Sequence, residues 1–127
     1  MKTILILDDE MSVCQSFVDY FEDKMWKTYR ANNGETALLI LEQENIDAAI
    51  VDIRLPGIDG NEFIREASKN NPQIAYLICT GSPEYTIPDE LKNMDCVSNH
   101  FFKKPVHSIA EIEKELLRLI EKIKNKT

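Results

Sequence analysis

The sequence predicts a doubly wound α/β sheet of five parallel strands. Two observations carry this. Short apolar runs alternate along the chain with segments of helical period, and one of those runs, Ala48-Ala49-Ile50-Val51, is apolar throughout. Alternation of strand and helix is the mark of a parallel sheet built from right-handed crossovers. An unbroken apolar run fits a central strand covered on both faces. With 127 residues, no internal repeat and no Gly/Ser linker, the chain reads as one domain, 1–127, around a single sizeable core.

The elements follow in order. Residues 3–7 form a buried strand, and Asp8, Asp9 and Glu10 end its apolar run well short of a signal-peptide core. The next segment carries Cys14, Phe17, Val18 and Phe21 at the i, i+3, i+4, i+7 spacing of a helix packed on one sheet face. A short strand at Trp26 to Ala31 precedes a second helix from Gly34 to Glu44 with Ala37, Leu38 and Leu41 inward. The central strand, Ala48 to Val51, ends in Asp52, and Pro56-Gly57 marks a turn. A third helix from about Asp59 to Lys69 turns Phe63, Ile64 and Ala67 inward, and Ile74 to Cys79 is another buried strand, ended by Thr80. Pro83 and Pro88 confine the fourth helix to Asp89 to Met94. A last strand at Val97 to Phe102 runs into Lys103-Lys104-Pro105. The final helix opens on the capping box Ser108-Ile109-Ala110-Glu111 and buries Ile112, Leu116, Leu119, Ile120 and Ile123. The expected strand order is 2-1-3-4-5, the flavodoxin-like arrangement.

A formal charge of −7 argues against a nucleic-acid-binding surface, since affinity for the phosphate backbone comes from clustered Lys and Arg. No stretch is long and apolar enough to span a bilayer. Cys14, Cys79 and Cys96 are odd in number and lack metal-ligand spacing, which fits free thiols in a reducing cytoplasm.

In an open α/β sheet, ligands bind outside the carboxyl ends of the strands. Four of those ends carry polar groups: Asp8-Asp9-Glu10, Asp52, Thr80 and Lys103-Lys104. Carboxylates drawn together repel one another unless a cation sits among them. Mg²⁺ suits such a hard-oxygen site, with Asp9 and Asp52 as direct ligands and Asp8 or Glu10 acting through water. His100 and His107 have no ligand-spaced partner, so zinc is not expected. A lysine and a threonine facing a carboxylate–metal cluster suit a transferring phosphoryl group, whose oxygens Lys104, the Thr80 hydroxyl and the Gly81 N–H would hold. Asp52 is then the nucleophile, forming an aspartyl phosphate.

Each residue also has a plain structural reading. Asp8 or Asp9 could cap the first helix, Thr80 could close a turn, Lys103-Lys104 could be solvated, and Arg54 could be an ordinary surface side chain. Four separate strand ends, each supplying a group that one reaction needs, favour the chemical reading.

The chain resembles the receiver domain of bacterial two-component response regulators over essentially its whole length. The resemblance rests on Asp8-Asp9, on the run Val51-Asp52-Ile53-Arg54-Leu55-Pro56-Gly57-Ile58-Asp59-Gly60, on Thr80-Gly81 and on Lys104-Pro105. It implies that Asp52 is the phosphoacceptor, that Asp9 and the backbone carbonyl of Arg54 bind Mg²⁺ with Asp52, and that Asp8 does so through water. Thr80 and Lys104 would hold the phosphoryl group, Thr80 and Phe101 would switch, and the Lys104-Pro105 bond would be cis. The phosphoryl donor would be a sensor histidine kinase or a phosphotransfer protein, and the receiver would assist its own phosphorylation and dephosphorylation. A downstream protein or output domain would read the change, and homodimer formation on phosphorylation is one outcome the resemblance allows.

The sequence departs from the family at Phe101, where Tyr is commoner, at Ser82 to Pro88, and at Met94-Asp95-Cys96-Val97 in place of a Gly-Ala turn. The geometry of the fourth-helix, fifth-strand and fifth-helix face is therefore not carried over. Arg54 and Ser82 flank the expected phosphoryl position, and Arg54 is expected to alter phosphate lifetime. Three rival readings are weaker. A dehalogenase-like phosphohydrolase needs a second Asp where Arg54 stands. A flavin binder needs a hydroxyl-rich loop where Asp8-Asp9-Glu10 would repel phosphate. A pseudo-receiver would lack part of the acceptor set. The chain ends soon after the last helix with no output domain visible, as in a stand-alone receiver or an excised one.

Overall fold

The computed structural model describes residues 1–126. Five parallel strands form one sheet in the order β2-β1-β3-β4-β5, as the sequence predicts. They are β1 (Thr3–Leu7), β2 (Lys27–Ala31), β3 (Ala48–Val51), β4 (Ala75–Thr80) and β5 (Phe102–Lys103). The helices are α1 (Met11–Asp23), α2 (Gly34–Gln43), α3 (Gly60–Asn70), α4 (Asp89–Lys92) and α5 (Ile109–Lys124).

The period-two alternation of the strands divides the core into two layers. Leu5, Leu7, Ala49, Val51, Tyr76 and Ile78 face α2, α3 and α4, where they meet Ala37, Leu41, Phe63, Ile64 and Leu91. Ile4, Ile6, Ala48, Ile50, Ala75, Leu77 and Cys79 face α1 and α5, where they meet Phe17, Phe21, Ile112, Leu116 and Leu119. Both faces of the central strands are thus covered, which is why β3 carries no polar residue. Glu113 ties α5 to the opposite edge, accepting hydrogen bonds from the Tyr20 hydroxyl at 2.8 Å and from Trp26 Nε1 at 3.0 Å.

Two caps follow the sequence closely. The Asp59 carboxylate accepts from the Glu62 N–H at 2.8 Å and Ser108 Oγ accepts from the Glu111 N–H at 3.4 Å, each satisfying a free donor in a first helical turn. The three cysteines are free and buried. No helix among the described residues is long and apolar enough to cross a membrane.

Two elements differ from expectation. Helix α4 spans only Asp89–Lys92 rather than reaching Met94, because the Met94 N–H turns back to the Leu91 carbonyl at 3.1 Å and closes the helix. The last strand was expected at Val97 to Phe102 but is Phe102–Lys103. Val97 makes an isolated bridge to Tyr76, while Phe102 pairs with Cys79, so five steps along this segment run beside three along β4 and the ladder between them breaks.

Met25, in the turn after α1, has φ +67 and is 72% exposed. A side chain in the left-handed region costs about 1–2 kcal/mol, partly offset because glycine loses more freedom on folding. Met25→Gly should therefore raise stability by about 0.5–1 kcal/mol, seen as a higher urea midpoint with an unchanged m-value.

Candidate functional site

The carboxyl ends of β1, β3, β4 and β5 meet at a crevice of about 310 Å³ lined by Asp9, Glu10, Asp52, Arg54, Thr80, Gly81, Ser82 and Lys104. Backbone hydrogen bonds set the convergence. The Asp52 N–H donates to the Leu7 carbonyl at 2.9 Å, extending the β1–β3 ladder by one residue, and the Lys104 N–H donates to the Thr80 carbonyl at 3.0 Å. Asp8, Asp52 and Lys104 therefore stand at the first position beyond a strand, and Thr80 at the last position within one.

Lys104 is the centre of the cluster. Its Nζ lies 2.6 Å from Asp8 Oδ2, 3.2 Å from Asp52 Oδ2 and 3.4 Å from Glu10 Oε1. Asp8 and Asp52 are each only 4% exposed. The remaining oxygen of each is held by the main chain: Asp8 Oδ1 accepts from the Glu10 N–H and Asp52 Oδ1 from the Ile53 N–H. Burial raises the Asp8 carboxyl above its ordinary range, against the pull of Lys104 and the Glu10 N–H, and the Asp52 charge adds to the rise. Burial alone would pull the Lys104 ammonium down. The Asp8 and Asp52 carboxylates outweigh it and hold the group above the usual lysine range.

The capping role considered for Asp8 and Asp9 is not taken up. Glu10 is the N-cap of α1 and no side chain caps it. Asp8 turns toward Lys104, whereas Asp9 is exposed at the crevice mouth. Asp8, Glu10 and Asp52 can bring one carboxylate oxygen each within 4.8 Å of the others. A bend at Asp9, closed by the Glu10 N–H on Asp8 Oδ1 at 2.9 Å, folds the two carboxylates toward one another. The donor set fits Mg²⁺: hard carboxylate oxygens with neither imidazole nor thiolate among them. Burial pushes the nearby Cys79 thiol up to about 12.

Thr80 is fully buried, and its Oγ1 accepts from the Ser82 N–H at 3.2 Å, which leaves its own proton to donate. Arg54 is exposed on the crevice rim. The Lys104-Pro105 bond is cis, as expected. Phe101 is half-buried and meets the Tyr85 ring edge-on, with centroids 5.3 Å apart. Gly60 permits the closest approach in the site: a Cβ there would stand 2.2 Å from the Asp52 carbonyl oxygen. Glu10 and Tyr85 are the residues that the sequence underweighted. For Glu10 no period applies, because the chain bends at Asp9 between strand and helix. For Tyr85 no sequence pattern pointed to it.

The family model for the response regulator receiver domain matches residues 4–117. A cyclic di-GMP phosphodiesterase of Thermotoga maritima is 31% identical over 92% of this chain, which spans 29% of that protein. Sporulation initiation phosphotransferase F of Bacillus subtilis is 29% identical, with 93% of this chain and 95% of that protein aligned. Among solved structures, the response regulator TrrA of Thermotoga maritima in complex with Mg²⁺-BeF superposes with a TM-score of 0.80 at 26% identity, over 94% of this chain and 99% of that one.

Lys104→Met would leave buried carboxylates without their ammonium and should destabilise the fold by about 3 kcal/mol at pH 7. In that variant the folded-state pKa of Asp8 rises further above its unfolded value, so the folded state binds more protons and gains stability as pH falls. Urea titrations should accordingly find the gap between variant and wild type narrowing from pH 7 toward pH 4.5.

Proposed function

Given that the chain belongs to the response regulator receiver family, we propose that Asp52 is its phosphoacceptor and that the residues around Lys104 perform the transfer. The observation that carries this reading is the placement of Lys104 Nζ between Asp8 Oδ2 and Asp52 Oδ2, at the carboxyl ends of neighbouring strands. The phosphoryl group would come from a phosphohistidine on a sensor kinase or phosphotransfer protein in the cytoplasm, and a downstream protein or output domain would read the result. We read the chain as a switch that assists its own phosphorylation and dephosphorylation.

The Ile53 N–H fixes Asp52 Oδ1 and leaves Oδ2 facing the crevice. Oδ2 attacks phosphorus in line. The new O–P bond forms as the P–N bond of the phosphohistidine breaks, and the electron pair stays on the imidazole nitrogen. Lys104, already 3.2 Å from Oδ2, pairs with a phosphoryl oxygen as charge builds there. The Thr80 hydroxyl, whose proton is left to donate by its acceptor role toward the Ser82 N–H, donates to a second. Mg²⁺, held by Asp9, Asp52 and the backbone carbonyl of Arg54 with Asp8 through water, would supply charge neutralisation at the phosphoryl oxygens. Glu10 lies within reach of the same cluster. Arg54 on the rim stands where it can order or exclude the water that hydrolyses the aspartyl phosphate.

Intact mass after incubation with acetyl phosphate tests the reading. One phosphate should be gained with Mg²⁺, and none with EDTA or in Asp52→Asn; a folded wild type that binds Mg²⁺ yet gains no mass would favour a pseudo-receiver. Arg54→Ala should change the dephosphorylation rate several-fold, followed as loss of that mass after donor removal, and an unchanged rate would remove Arg54 from the account.

A further inference from the structure

The segment between β4 and α4 contains Pro83 and Pro88 and has no regular structure, yet it is tightly anchored. Its own Ile87 is buried, and its far end is held by α4, where Leu91 is buried and Glu90 pairs with Arg65 of α3. Tyr85 makes the most consequential contacts. Its hydroxyl donates to Asn61 Oδ1 at 2.7 Å and its ring lies edge-on to Phe101 at 89°. Asn61 follows Gly60, whose backbone packs directly on the Asp52 carbonyl. In the chain, Tyr85 also connects back to the phosphoryl-holding end of β4: its N–H reaches the Ser82 carbonyl at 3.5 Å, and the Ser82 N–H reaches Thr80 Oγ1. One side chain thus joins the start of α3, the loop after Thr80 and the aromatic before Lys104.

We propose that Tyr85 is a latch that holds the loop after Thr80, and with it Phe101, in the arrangement where Thr80 Oγ1 is engaged by the Ser82 N–H and Lys104 by Asp52, and that the Tyr85–Asn61 hydrogen bond sets how far the conformational equilibrium lies toward that state. Phe101 has no hydroxyl, so the polar fastening that a tyrosine there could make is supplied instead by Tyr85 from the facing loop. Burial and the nearby Asp59 push the Tyr85 phenol up to about 12, so the hydroxyl remains a donor at any pH near neutral. Binding energy at the crevice opens the latch only to the extent that the two states differ in affinity.

The inference rests on the phosphoacceptor reading and is tested on a protein for which that reading can fail separately. Beryllofluoride with Mg²⁺ is titrated into wild type, Tyr85→Phe, Asn61→Ala and the double variant, following backbone amide resonances of Gly81 and Ser82. Removing a neutral hydrogen bond shifts a two-state equilibrium by roughly two- to ten-fold. Each single variant should therefore bind beryllofluoride about two- to ten-fold more tightly than wild type, and the double variant no more tightly than either single. A merely structural bond would lower thermal stability without tightening the ligand. Unchanged or weaker binding in the single variants, or effects that add in the double, would overturn the latch. Failure of wild type to bind beryllofluoride at all would instead reject the phosphoacceptor reading and the latch with it.

Discussion

Two carboxylates, Asp8 and Asp52, are buried at the ends of adjacent strands, and the sheet can close there only because Lys104 reaches back from the far side to lie between them. An isolated buried carboxylate is expensive, and a pair of them more so. The ammonium offsets that cost, but with Glu10 nearby a single positive charge faces three negative ones. The fold therefore carries a local excess of negative charge at the one place where neighbouring strands end together. That excess favours a divalent cation, and a cation beside a lysine and a hydroxyl is an environment for a phosphoryl group. Structure and reactivity share one electrostatic constraint.

The same constraint accounts for the quietness of the surroundings. Among the described residues, no buried side-chain nitrogen or oxygen lacks a hydrogen-bond partner. The second oxygen of each buried aspartate is fixed by a backbone N–H, so what remains free to change is the set of contacts around Lys104 and the Thr80 hydroxyl. Those groups adjoin a loop without regular structure that meets α3 and Phe101 through Tyr85. A rigid acceptor beside a fastened but irregular loop is the arrangement expected of a two-state device, in which a local charge change is read out at a distance.

Much of this was legible in the sequence. The continuous apolar run of β3 and the helical stripes of α1, α3 and α5 encode burial directly, so the covered sheet followed from them, while the strand order came from the flavodoxin-like arrangement that such alternation favours. Placing Asp52, Thr80 and Lys104 required only locating the strand ends. The sequence could not say which of Asp8, Asp9 and Glu10 turns inward, because that depends on the backbone at the strand-to-helix junction, where neither strand nor helix period applies. It also overextended α4 and misplaced β5. Apolar content from Val97 to Phe102 suggests a strand, but the break in pairing after Val97 is decided by the mismatch in length with β4, which is a tertiary property. The Tyr85–Asn61 bond joins residues 24 apart in sequence, one in the loop after β4 and one at the start of α3, and left no periodic trace.

The most direct test of the central claim is to locate the modification chemically. Wild-type protein is phosphorylated by a small-molecule donor with Mg²⁺, reduced with borohydride so that an acyl phosphate becomes homoserine, digested, and sequenced by tandem mass spectrometry. The account predicts homoserine at position 52 and at no other aspartate, with none formed when EDTA replaces Mg²⁺. Homoserine at position 8 or 9, or formed equally without the metal, would contradict it.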